Sequence, residues 1–167
     1  MLKYKTLFVS LFLIIATIHL TGCYSQSTWI YEDEIDGFQL SFPGGWSKTE
    51  NYPDTEERLI EEGLRKIYFG KGDTKFGTQE SIIILIHDDT YQTPPIQTYL
   101  DYLTEEVKID GIDTEKIIKV QKETNEIIGI SFYFKKEERY FSILLNSQPN
   151  KWEELSDMFI SGFRFNK

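Results

Sequence analysis

A chain of 167 residues with a net charge of −9 is long enough for one domain with a real core and too acidic to suit a phosphate backbone or an anionic lipid surface. That charge favours a cationic protein or a divalent metal ion as partner and disfavours nucleic acid. A single cysteine, Cys23, excludes an intrachain disulfide.

The chain opens with Lys3 and Lys5, followed by an almost wholly apolar stretch from Leu7 to Leu20, and Gly22 leads into Cys23. A charged region, an apolar region and a small residue in that order form an export signal. The apolar stretch is also shorter than the roughly 20 residues a spanning helix needs. Leu20-Thr21-Gly22-Cys23 resembles the lipobox of bacterial lipoproteins. That resemblance implies a diacylglyceryl thioether on Cys23, cleavage before it and acylation of the new amino terminus. The expected organisation is a signal peptide over 1–22, a lipidated tether over 23–28 and a single α+β domain over 29–167. Burial contributes about 0.8 kcal/mol per CH₂, so one acyl chain binds marginally and two or more hold durably. Losing residues 1–22, which carry two lysines and no acid, takes the net charge from −9 to −11. It also discards His19, and a lipidated Cys23 leaves no thiol for catalysis or metal binding. The expected location is extracytoplasmic, lipid-anchored to the cell membrane. Tyr24 is not the aspartate associated with inner-membrane retention, so an outer membrane is open to it in a host with two membranes.

Tyr24 to Thr28 is a polar spacer. The acidic lead Glu32-Asp33-Glu34-Ile35-Asp36-Gly37 fails the calcium-loop spacing, because the position needing a bidentate Glu is Pro43. Phe38-Gln39-Leu40-Ser41-Phe42 alternates as a half-buried strand does, and Pro43-Gly44-Gly45-Trp46 ends it. Asp54 and Glu57 carry a capping-box spacing that predicts a short helix near 55–63. Leu64 to Gly70 reads as a strand, and Lys71 to Gln79 as a hairpin loop. Gly70, Gly72 and Gly77 meet neither the dinucleotide fingerprint nor the Walker spacing. Ile82 to Ile86 is an unbroken apolar run, which belongs in mid-sheet with both faces covered.

Thr93-Pro94-Pro95 predicts a helix start. Ile96, Tyr99, Leu100, Leu103 and Val107 then fall on one helical stripe, with Gly111 beyond its end. Ile117 to Lys122, Ile127 to Phe134 and Tyr140 to Asn146 predict three antiparallel strands, with Ile128, Ile130, Phe132 and Phe134 on one face of the middle one. A closing helix is predicted from near Asn150, with Trp152, Leu155, Phe159 and Phe163 on its inner side, followed by Phe163-Arg164-Phe165. Helices before and after an antiparallel sheet predict an α+β fold, the sheet layered between helices as an α-β-α sandwich.

Gly37-Phe38 through Phe42-Pro43 and Trp46 resembles the opening strand of the PsbP/Mog1/DcrB-like superfamily. Trp152 through Phe159, then Gly162-Phe163-Arg164-Phe165, resembles that group's closing helix and Phe-rich terminal strand. The resemblance spans most of 29–165 and implies an antiparallel sheet sandwiched between helices. Members include photosystem accessory subunits, a small-GTPase-binding protein and many bacterial lipoproteins, and they share no catalytic site. No binding residue transfers, since fold alone does not carry function.

Four constellations are candidates for chemistry. His87-Asp88-Asp89, at the end of the apolar strand, has the residue types for metal ligation or acid–base work, and the acidic segment near Asp33 has them for metal. His87 is the sole histidine after Cys23, too few for a convincing triad, and a polar strand end accounts for it equally well. Glu56, Glu57, Glu61 and Glu62 read as a solvated acidic face near Arg58 and Arg65. Lys135, Lys136 and Arg139 read as a charged hairpin tip. Neither a catalytic residue, a cofactor nor a metal ligand is assigned, and an enzyme is disfavoured. The function expected is a membrane-anchored protein-interaction or accessory module with a protein partner in the envelope. The alternative is a divalent-metal or small-ligand binder.

Overall fold

The computed structural model describes residues 27–49, 64–72, 80–87 and 99–166. Ten strands and one helix lie among them: β1 (Trp29–Asp33), β2 (Phe38–Phe42), β3 (Trp46–Lys48), β4 (Leu64–Lys71), β5 (Glu80–His87), β6 (Leu100–Ile109), β7 (Ile112–Gln121), β8 (Ile127–Lys136), β9 (Arg139–Asn146), α1 (Trp152–Gly162) and β10 (Phe163–Phe165). They form a three-stranded sheet, β1-β2-β10, and a seven-stranded sheet, β3-β4-β5-β9-β8-β7-β6, antiparallel throughout. The fold is therefore mostly β, two antiparallel sheets and one helix among the described residues, and not the α-β-α sandwich the sequence predicted.

Alternation builds the core. Phe38, Leu40 and Phe42 point from β2 into the interior at 0% exposure, and Ile82, Ile84 and Ile86 do the same from β5. Ile130, Phe132, Phe134, Phe141 and Ile143 extend this layer across β8 and β9. Trp152, Leu155 and Phe159 of α1 close it, on the stripe predicted for the helix. Phe163, expected as a fourth residue of that stripe, instead begins β10 and stacks on Phe38 at 5.1 Å. The apolar run 82–86 does lie in mid-sheet, flanked by β4 and β9.

The largest local departure is the stripe at Tyr99, Leu100, Leu103 and Val107. Leu100–Ile109 is not helical but a ten-residue strand, paired along its whole length with β7. The reason is non-local. Asp110 (φ 48°) and Gly111 (φ 83°) make a two-residue turn of the type that matches strand twist, and Gly111 serves that turn rather than a helix end. Charges then pair across the hairpin, directly opposite for Glu105 with Lys116 (3.1 Å) and Lys108 with Asp113, and diagonally for Asp101 with Lys122 (3.6 Å). A second departure concerns Ile128. The register shifts between Lys119, opposite Gly129, and Val120, opposite Ile127. This bulge ejects Ile128 to 42% exposure while Ile130, Phe132 and Phe134 stay inside. The helix predicted near 55–63 and the segment 88–98 lie outside the described residues.

Two ion networks cap the apolar core at opposite ends of β4 and β5. Arg65 stands at one end, against the β1–β2 turn. Lys71 and Glu80 stand at the other, where Glu80 takes Lys71 and Lys151, each at 3.0 Å.

Candidate functional site

The end of the molecule capped by Arg65 carries a cleft of about 340 Å³. Its walls are the β1–β2 turn, the β8–β9 hairpin tip and the end of β10, three segments far apart in sequence.

Asp33 builds the first wall. Asp33 is 2% exposed, and its carboxylate accepts hydrogen bonds from the backbone N–H of Ile35 (3.1 Å) and Asp36 (2.9 Å) and from the Tyr31 hydroxyl (2.7 Å). Arg65 completes it with two parallel N–H···O bonds of 2.7 Å, and its Nη1 also reaches Asp36 at 2.5 Å. Burial alone would raise the Asp33 carboxyl, but the bonds from Arg65, Asp36 and Tyr31 outweigh it and hold the group below the usual carboxylate range. Burial, then hydrogen bonding to this carboxylate, pushes the Tyr31 phenol up. The turn is thus held rigidly, and its tip residue Ile35 stands 75% exposed at the mouth of the cleft.

The opposite wall is the hairpin tip, where Glu137 adopts φ 56°. Lys136 lies over the Phe165 ring at 5.5 Å, and the Arg139 Nε faces the Asp36 carboxylate at 4.0 Å. Phe141 and Phe165 meet edge to face at 5.4 Å between the walls. Asn166 ties the third wall to the first by donating its backbone N–H to the Gly37 carbonyl at 2.8 Å. Aromatic edges, two cations and the carboxylates of Glu34 and Glu137 therefore converge on one opening. Such an opening can take an apolar side chain and pair its flanking charges of either sign.

The sequence candidates fare differently. Lys136 and Arg139 line the cleft, whereas Lys135 turns to the Tyr140 hydroxyl at 3.0 Å. Asp33 underlies the cleft as a positioning residue, with both oxygens occupied by protein donors. His87 is 7% exposed and lies away from the cleft lining; its Nε2 is 3.1 Å from Ser142 Oγ and its ring stacks on Tyr140 at 5.7 Å. Asp88, Asp89, Glu56, Glu57, Glu61, Glu62 and Cys23 lie outside the described residues. Among the described residues no group of three or more His, Cys, Asp or Glu side chains is placed to hold a metal ion. No helix among them is long and apolar enough to cross a membrane. Ile35, Phe141 and Phe165 escaped sequence reasoning as site residues, because nothing local in their segments says that the three ends meet.

No family model and no curated protein matches the chain. The fold is similar to that in the solution structure of cyanobacterial PsbP (CyanoP) from Synechocystis sp. PCC 6803. The TM-score is 0.55 at 13% identity, over 86% of this chain and 95% of that one. The domain is PsbP-like in fold.

Proposed function

We propose that this chain is an extracytoplasmic lipoprotein, tethered to the membrane through lipid on Cys23, and that its domain is an accessory module docking a protein partner in the envelope. The observation that carries the docking reading is Ile35, an apolar side chain held out at the mouth of a charged and aromatic cleft by a turn rigidified through Asp33. A preorganised apolar residue ringed by charges loses little entropy on binding, and such residues concentrate interface energy. The lipobox resemblance of Leu20-Thr21-Gly22-Cys23 supports the tether.

The test is chemical cross-linking in native membranes with quantitative mass spectrometry, comparing wild type with Cys23→Ala and Ile35→Asp, each with and without chelator. One dominant envelope partner, insensitive to chelator and lost in Ile35→Asp, supports the reading. Capture that needs divalent metal, or that is indifferent to Ile35→Asp, overturns it.

A further inference from the structure

The seven-stranded sheet ends on β6, and the chemistry of that edge points to a specific kind of partner. At the opposite edge β3 has three residues; β6 has ten, most of them exposed. The two-residue turn at Asp110-Gly111 makes Ile109 and Ile112 a hydrogen-bonded pair. Odd-numbered residues of β6 therefore bond to β7, as the Tyr99 carbonyl shows by accepting the Lys122 N–H at 3.4 Å. Even-numbered residues turn their backbone groups the other way. The N–H and C=O groups of Thr104, Glu106 and Lys108 point off the sheet, and no strand among the described residues pairs with them. Such a row is a template for one more strand.

Charge around this row is net negative, since Lys108 is already paired with Asp113. On the outer sheet face Glu106 stands directly opposite Glu115, both exposed, with no ion-pair partner for either among the described residues. Like charges in that position repel, and a cation laid beside them relieves the repulsion. On the inner face Glu105 and Glu153 share one ammonium, Lys116, at 3.1 and 3.3 Å, leaving one negative charge over. Beside it Leu103, 55% exposed, offers apolar contact. A second copy of the chain would bring the same carboxylates to the same edge.

We propose that the outer edge of β6, from Thr104 to Lys108, unpaired by any strand among the described residues, takes up an extended cationic segment of a partner protein as an added strand. Main-chain bonds supply the pairing, and basic side chains alternating with apolar ones match Glu106 and Glu115 on one face and Leu103 on the other. The inference goes beyond the cleft-docking reading, since β6 lines no part of the cleft, and it stands or falls separately.

The probe is a blocked, fluorescent synthetic peptide alternating lysine and valine, titrated into the full-length chain in detergent at low salt. Saturable binding is expected that weakens with salt. Thr104→Pro removes an outward N–H without touching the β6–β7 ladder and should weaken binding about tenfold or more. Glu106→Lys should weaken it several-fold, and Thr104→Val should leave it unchanged. A peptide N-methylated at alternate residues should not bind, a control independent of protein folding. Absence of saturable binding overturns the proposal. So does equal binding of the methylated peptide or of a glutamate–valine peptide, or undiminished binding by Thr104→Pro and Glu106→Lys. A wild-type dimer in sedimentation that Thr104→Pro dissolves also overturns it, assigning the edge to a second copy. Ile35→Asp should not change peptide binding, which separates this result from the cleft.

Discussion

Arg65 on β4 grips Asp33 on β1 with both Nη atoms, each 2.7 Å from a different carboxylate oxygen, and so joins the two sheets across 32 positions of sequence. The pair joins a buried carboxylate to a half-buried guanidinium and is bidentate, the geometry in which Arg is not replaceable by Lys. Asp36 adds a second buried carboxylate to the same guanidinium.

Removing the cation strands two carboxylates away from water. Arg65→Ala should therefore lower unfolding free energy by about 3–5 kcal/mol, and Arg65→Lys should recover only part of it. Urea denaturation followed by tryptophan fluorescence measures both. A loss in Arg65→Ala no larger than that of a surface substitution would show that the network does not hold the sheets.

Asp33 and Glu80 both have their folded-state values lowered; in each, burial raises the carboxyl but hydrogen bonds outweigh it, from Arg65 for Asp33 and from Lys71 and Lys151 for Glu80. The unfolded chain then binds more protons in the acid range, so stability rises with pH there. Their contribution is fully present above the unfolded values, about 4, and is lost as pH falls through the lower folded ones. Thermal melts against pH should show this acid limb, with a shallower slope in Asp33→Asn. An unchanged slope would remove Asp33 from the account.

Gly162 ends α1 where a Cβ would lie 2.6 Å from the Ser41 carbonyl oxygen on β2. The obstacle is backbone, so it cannot swing aside. Gly162→Ala should cost about 1–3 kcal/mol, as overpacking does, and lower the melting temperature. A neutral result would mean that helix and sheet are free to separate.

Ile128 and Ile130 lie two residues apart but on different sides of the bulge. Ile130→Ala should cost about 2–5 kcal/mol by opening a cavity, whereas Ile128→Thr should stay within about 0.5 kcal/mol. Equal costs would mean that the strand runs through in regular register.

Local pattern made much of this fold legible. Phe38, Leu40 and Phe42 alternate, Ile82 to Ile86 is apolar throughout, and Trp152, Leu155 and Phe159 recur at helical spacing; each is found in the element its pattern names. These readings succeed because the period of a segment decides which of its faces meets the core, whatever the core is made of. Leu100, Leu103 and Val107 mark the limit. Their spacing suits a helix, yet the Asp110-Gly111 turn and three cross-strand ion pairs make the segment a strand. Half of that determination lies in β7, outside any local window.

What the sequence by itself determined is thus the buried faces of β2, β5 and α1, through periodicity, and the acidic surface, through composition. Only the tertiary structure decided that Arg65 closes on Asp33, that Ile35, Lys136 and Phe165 meet around one cleft, and that β6 is the acidic last strand of its sheet among the described residues. The physical reason is that, where a segment keeps its period, burial is set residue by residue along it. Ion pairing, strand order and cleft walls are instead properties of segments brought together from far apart, and no single segment carries them.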